Sequence, residues 1–123
     1  MTEQMVAIKM VKNYTKSEYA TVKLLREIQI MRNLQALRSD FTPELYELIE
    51  SKDDQGQPIL FMVMEYFESD LAELIKLGKK SGISQMHVTM IIYNTICAMK
   101  FLHSANVIHR DIKPSNILIN KLC

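Results

Sequence analysis

The stretch His109-Arg110-Asp111-Ile112-Lys113-Pro114-Ser115-Asn116 decides the fold of this 123-residue chain. It places a carboxylate, an ammonium group and an amide in one short polar loop between apolar residues. A carboxylate on such a loop can orient an alcohol and accept its proton, and a nearby lysine can stabilise charge on phosphoryl oxygens. An amide oxygen is a hard ligand that suits magnesium. Taken singly, Asp111, Lys113 and Asn116 each fit a solvated polar loop, so any functional prediction depends on their combination.

The same stretch resembles the catalytic loop of protein kinases, His-Arg-Asp-x-Lys-Pro-x-Asn. The resemblance implies that Asp111 is the catalytic base, that Lys113 reaches the transferring phosphoryl group and that Asn116 binds Mg²⁺. In that family the histidine packs and the arginine receives a phosphate or acidic group, so His109 and Arg110 would be supporting residues. A lysine two positions after the aspartate is the serine/threonine kinase pattern.

A second pair of charged residues lies in apolar surroundings near the start of the chain. Lys9 falls in the strand-like run Val6-Ala7-Ile8-Lys9, and Glu27 falls on a helical stripe with Leu24 and Met31. A buried unpaired charge is costly, so we expect Lys9 and Glu27 to form an ion pair, although a strand lysine can equally reach solvent at a surface. The run resembles the nucleotide-lysine strand of kinases, which implies that Ala7, Lys9 and Glu27 belong to an ATP site.

The segment from Phe61 to Leu71 is predicted to be a buried strand that ends in a short connector. Without the other motifs it would be an ordinary strand end followed by a helix cap. It resembles the kinase hinge, which implies that Met64 is the gatekeeper and that Glu65 and Phe67 offer backbone groups to adenine. By the same resemblance Asp70 would lie near the ribose.

The order of predicted elements indicates an α+β fold. The resemblance makes it a partial, two-lobe protein kinase-like fold, with residues 1–64 as a partial N-lobe, 65–69 as the hinge and 70–123 as a partial C-lobe. The predicted elements are a strand over 5–11, a helix over 17–37, a hairpin of strands 45–49 and 59–64, helices over 70–77 and 84–105, and two short strands around the loop 111–116. On the last long helix the predicted apolar side is Val88, Ile91, Ile92, Met99 and Leu102.

Composition excludes several classes of protein. Fifteen basic and fourteen acidic residues leave a net charge of +1, which argues against a nucleic-acid partner. The longest apolar run, over 59–64, is too short to span a membrane, and the first residues lack the features of a signal peptide. Cys97 and Cys123 match no metal spacing, so we expect reduced thiols and a cytoplasmic or nuclear location.

Within the kinases, the stretches 102–108, 117–120 and 68–71 look most like mitogen-activated protein kinases, with cyclin-dependent kinases a close second. The resemblance implies ATP and Mg²⁺ as cofactors, a protein substrate and an upstream kinase. No Gly-rich loop precedes Lys9 and no Asp-Phe-Gly follows the catalytic loop. We therefore expect a piece of a serine/threonine kinase domain that has negligible activity alone.

Two alternatives remain. The first is an inactive kinase-derived binding module that makes its contacts through residues 71–86. The second is a structural protein unrelated to kinases, which the catalytic-loop stretch makes remote.

Overall fold

The computed structural model describes residues 4–120, without the side chains of residues 79 and 81. The chain divides into two compact units, one that ends at Tyr66 and one that begins at Phe67. This division falls inside the segment predicted to be a hinge, whose role stays a prediction. The predicted α+β class is confirmed, because each unit combines helix with antiparallel strands.

The first unit is a three-stranded antiparallel sheet with one long helix. Its elements in chain order are β1 (Val6–Lys12), α1 (Glu18–Ala36), β2 (Leu45–Lys52) and β3 (Pro58–Glu65). The strand order is β1-β3-β2, so β3 is central and pairs with both neighbours. The central position explains the apolar run of β3, since a central strand is covered more completely than an edge strand.

Helix α1 begins at a side-chain cap and packs one stripe against the sheet. The hydroxyl of Ser17 accepts a hydrogen bond of 3.2 Å from the amide of Ala20, which satisfies one of the amide donors left unpaired at a helix start. The core beneath the helix is formed by buried residues from α1, β2 and β3: Leu24, Ile28, Leu45 and Met62. The predicted helix is confirmed, and the side chain of Glu27 is 42% exposed.

The β2–β3 hairpin is confirmed, and one aspartate organises its turn. Asp53 Oδ1 accepts hydrogen bonds from the amides of Gln55 and Gln57 at 2.9 and 2.8 Å. Gly56 has a φ of +75°, a conformation that glycine adopts without steric cost. The turn residues therefore fix the pairing register of the hairpin.

The second unit is mostly helical. Its elements are β4 (Ser69–Asp70), α2 (Leu71–Leu77), a 3₁₀ turn (Gly78–Ser81), α3 (Gln85–Ser104), a second 3₁₀ turn (Pro114–Asn116) and β5 (Leu118–Ile119). Helix α3 begins with a capping box between Ser84 and His87. Its buried residues are Ile91 and Leu102, whereas Ile92, predicted on the same side, is 55% exposed.

The tail of the chain differs from the prediction of two short strands. Residues 107–108 form no strand, because the Val107 amide donates to the Leu102 carbonyl at 2.9 Å and the Asn106 amide donates to the His103 carbonyl at 3.0 Å. Asn106 has a φ of +58°, so these bonds form the left-handed closing turn of a helix. The strand β5 pairs instead with β4, with Ser69 opposite Ile119.

Two further expectations concern membranes and cysteines. Within residues 4–120, no helix combines the length and apolarity that a membrane span requires. Cys97 is a free, half-buried thiol, and Cys123 lies outside the described residues.

Candidate functional site

The second unit brings together the three residues predicted for phosphoryl transfer. The Asp111 carboxylate accepts from Lys113 Nζ at 2.8 Å through Oδ2. The Asn116 side-chain amide donates to the same oxygen at 3.0 Å and to the Asp111 carbonyl at 2.9 Å. Both donors hold one carboxylate oxygen, so the direction of the carboxylate is fixed by the loop itself.

Backbone contacts fasten the C-terminal end of this loop. The Leu71 amide donates to the Ile117 carbonyl at 2.9 Å, and the β4–β5 pairing continues from that bond. Within the loop, Arg110 has a φ of +66°, which is uncommon for a residue with a side chain and turns the chain sharply before Asp111. A strained residue held by its surroundings is a common feature of functional loops.

The cluster keeps Asp111 ionised. The hydrogen bond from Lys113 lowers the pKa of Asp111, burial opposes that shift, and the hydrogen bond from Asn116 supports it. A carboxylate with a lowered pKa orients a hydroxyl well and takes its proton only weakly. Phosphoryl transfer depends largely on positioning, so this balance fits that reaction.

His109 does not pack as the resemblance implied. It is exposed, and its Nδ1 accepts a hydrogen bond of 3.3 Å from the Asp111 amide. The contact lies along the backbone of the loop, so His109 supports the position of Asp111 by a bond and not by burial. Arg110 is exposed too.

The first unit contains the predicted ion pair. Lys9 Nζ lies 2.5 Å from Glu27 Oε1 and joins β1 to α1. Both side chains are nearly half exposed, at 45% and 42%, so desolvation is modest and the pair contributes about 0–1 kcal/mol to stability. Its main effect is therefore to fix the position of the Lys9 ammonium group.

The sheet register sets Ala7 beside the predicted gatekeeper. Ala7 is the cross-strand partner of Met64, and Lys9 is the partner of Met62. Side chains alternate between the two faces of a strand, so these four residues share one face of the sheet. Glu65, the next residue, uses its amide to donate to the Glu44 carbonyl at 2.9 Å, and its contact with a nucleotide stays a prediction.

Asp70 acts as the N-cap of α2. Its Oδ1 accepts a hydrogen bond of 2.9 Å from the Glu73 amide. Phe67 is half-buried at the start of the second unit. Contacts of Phe67 and Asp70 with a nucleotide stay predictions.

Comparison with known proteins decides the family. The protein kinase domain family matches residues 1–123, the whole chain. The chain belongs to the protein kinase family. Its similarity to mitogen-activated protein kinases, predicted from the catalytic-loop region, is confirmed by the relatives of this kinase chain.

Three relatives show the extent of that similarity. The kinase chain is 35% identical over 123 residues to mitogen-activated protein kinase MPS1 of Pyricularia oryzae, covering 99% of the chain and 28% of that protein. It is 36% identical over 122 residues to extracellular signal-regulated kinase 7 of Drosophila melanogaster, covering 99% of the chain and 13% of that protein. It is 32% identical over 122 residues to mitogen-activated protein kinase 5 of Oryza sativa subsp. indica, covering 99% of the chain and 32% of that protein. The chain thus spans less than a third of the length of these relatives.

The loop around Asn116 could supply part of the coordination of a magnesium ion. The Asn116 amide nitrogen faces Asp111, and the amide oxygen is the atom that could bind a metal. Among residues 4–120, no group of three His, Cys, Asp or Glu side chains could hold a metal ion. Nucleotide phosphates and water would have to complete the coordination, as is common for Mg²⁺.

Sequence reasoning missed two contacts in the first unit. The Glu65 carboxylate accepts from the Glu44 amide at 3.2 Å, and Tyr14 donates to Glu50 at 2.7 Å. Both join residues that lie far apart in sequence, and no local pattern marks them.

Proposed function

We propose that this chain carries the nucleotide and phosphoryl-transfer residues of a serine/threonine protein kinase of the mitogen-activated type. The observation that carries the proposal is the convergence of Lys113 and Asn116 on one oxygen of Asp111. A loop that fixes a carboxylate between a cation and an amide suits orientation of an alcohol for in-line transfer. The identity with mitogen-activated kinases supports the finer assignment.

Each residue then has a role. The Asp111 carboxylate would orient the substrate hydroxyl and receive its proton, while Lys113 would offset charge on the transferring phosphoryl oxygens. Bound Mg²⁺ would neutralise the phosphates of ATP, with Asn116 as one oxygen ligand. In the first unit, Lys9 would contact the phosphates of ATP in the position that Glu27 fixes.

The adenine and its sugar would use other residues. Ala7 and Met64 would bound the adenine, and the Glu65 carbonyl and the Phe67 backbone would bond its edge. Asp70 would lie near the ribose. A protein substrate, an upstream kinase and a cytoplasmic or nuclear location complete the proposal.

Thermal unfolding with Mg-ATP tests the nucleotide site. A ligand at ten times its Kd stabilises the folded state by about 1.4 kcal/mol, which raises the midpoint by several degrees in a small domain. We expect this rise in the wild-type chain and in Lys12→Met, a control on the same strand, and no rise in Lys9→Met. A rise that persists in Lys9→Met would contradict the role of Lys9.

Transfer of labelled phosphate to a basic protein substrate tests the reaction. We expect negligible transfer by the isolated 123-residue chain, since the sequence contains no Gly-rich loop and no Asp-Phe-Gly motif. Transfer above background that Asp111→Ala abolishes would show that the isolated chain is active and would refute this expectation.

A second candidate is a binding module. The observation in its favour is a set of exposed apolar side chains on α3: Met86, Tyr93 and Ile96 are each more than 60% exposed. Large exposed apolar patches mark interaction surfaces. Absence of any Mg-ATP effect on the wild-type chain would favour this function over phosphoryl transfer.

A further inference from the structure

Besides the apolar packing of its core, the described part of the first unit has three polar side-chain contacts that join α1 and the loop before it to the sheet. The end of α1 is held by Gln35, whose Oε1 accepts from the Leu45 amide at 3.3 Å. The middle is held by the pair of Glu27 with Lys9. The start is held by Tyr14, whose hydroxyl donates to Glu50 on β2.

The contacts of Tyr14 connect three parts of the unit. Its hydroxyl donates to Glu50 Oε1 at 2.7 Å, a short bond to a charged acceptor. Its carbonyl accepts from the Thr21 hydroxyl at 2.8 Å, in the first turn of α1. Its ring is half-buried and packs against the core cluster. Tyr14 therefore joins the loop before α1, the helix itself and the sheet.

We propose that Tyr14 is a positioning residue that holds the first half of α1 on the sheet and so keeps Glu27 within reach of Lys9. Glu27 lies between the Tyr14 contact and the Gln35 contact along the chain. Loss of the Tyr14–Glu50 bond leaves the part of α1 before Glu27 to be held on the sheet by apolar packing such as that of Leu24. The consequence for nucleotide binding rests on the proposed function, whereas the mechanical role does not.

Amide hydrogen exchange by NMR on the full 123-residue chain tests the mechanical role. Loss of one hydrogen bond to a charged group should increase local opening on the order of tenfold. In Tyr14→Phe we expect faster exchange over residues 21–27, with no change over 31–36 or in β3. The matched control is Tyr19→Phe, because Tyr19 lies in the first turn of α1 and is 78% exposed. It should exchange like the wild type.

Variants of the acceptor test whether the bond itself is responsible. Glu50→Ala should reproduce the Tyr14→Phe pattern, and the double variant should exchange no faster than either single variant. Glu50→Gln retains an acceptor oxygen and should restore part of the protection. Unchanged exchange in Tyr14→Phe, or an equal increase throughout the unit, would overturn the proposal. So would a wild-type chain with no protected amides in α1.

Mg-ATP titration by calorimetry tests the consequence for the site. Tyr14→Phe should weaken binding a fewfold, and it should have no further effect in a Glu27→Gln background, because both changes act through the same pair. An equal loss in both backgrounds would contradict the positioning role. If the wild-type chain binds no Mg-ATP, the proposed function fails, while hydrogen exchange still decides the role of Tyr14.

Discussion

Replacement of Met62 by alanine should destabilise the first unit more than any exposed substitution. Met62 is fully buried, at 0% exposure, on the central strand and among the core residues under α1. The substitution removes three heavy atoms from the core, which costs about 2.4 kcal/mol at ~0.8 kcal/mol for each methylene-sized group. The cavity that remains raises the total to about 3–4 kcal/mol.

That loss is large for so small a unit. At 0.05–0.15 kcal/mol per residue, the unit that ends at Tyr66 has a stability of roughly 3–10 kcal/mol. With a urea dependence of ~1 kcal/mol/M, Met62→Ala should lower the unfolding midpoint of the first unit by roughly 3 M. Tyrosine fluorescence and resolved amide signals of β3 would follow this transition.

Two variants make the measurement specific. Met10→Ala removes the same atoms from a side chain that is 52% exposed on β1, and it should shift the midpoint by less than about 0.5 M. Met62→Leu keeps the volume and should cost less than ~1.5 kcal/mol. A shift in Met62→Ala no larger than that of Met10→Ala would refute the assignment of the core.

Three further predictions concern the second unit. Lys113→Met should raise the pKa of Asp111 toward the ordinary aspartate value, and NMR titration of the carboxyl carbon would show the change. In the wild type the pKa of Asp111 is lower in the folded state than in the unfolded state. The stability that Asp111 contributes is therefore fully present above the unfolded-state pKa and is lost as the pH falls through the folded-state pKa. Asp70→Ala should cost about 1 kcal/mol through loss of the α2 cap, whereas Asp70→Asn should cost little, as urea unfolding would measure. Ile96→Glu should reduce self-association in light scattering, because it places a charge on the exposed side of α3, where Ile96 is 62% exposed; unchanged scattering would refute this.

The long elements were predictable because each has a local signal. The apolar stripe of α1, its Ser17 cap and the polar turn of the β2–β3 hairpin lie in short stretches of sequence, and the structure forms all three. The loop that contains Asp111, Lys113 and Asn116 is also local, since the three residues that meet in it lie within six positions of sequence.

The parts that differed depend on contacts between distant residues. Residues 107–108 carry apolar side chains typical of a strand, but the Val107 amide is used where α3 ends. The partner of β5 lies nearly fifty residues earlier in β4, and no pattern in the tail points to it. The bond of Tyr14 with Glu50 has the same character, since each residue alone is an ordinary polar side chain.

The strand order β1-β3-β2 has a consequence for the order in which the first unit folds. Strands β2 and β3 are joined by a short turn, and such hairpins form within about 1–10 μs. Strand β1 must find β3 across nearly the whole length of the unit, since Val6 pairs with Glu65, and that search carries a larger loop-closure entropy. Pulsed hydrogen exchange should therefore show protection of the hairpin before protection of β1. Lys9 would then meet Glu27 only in the last step, so the charged pair forms only in chains whose sheet is already complete.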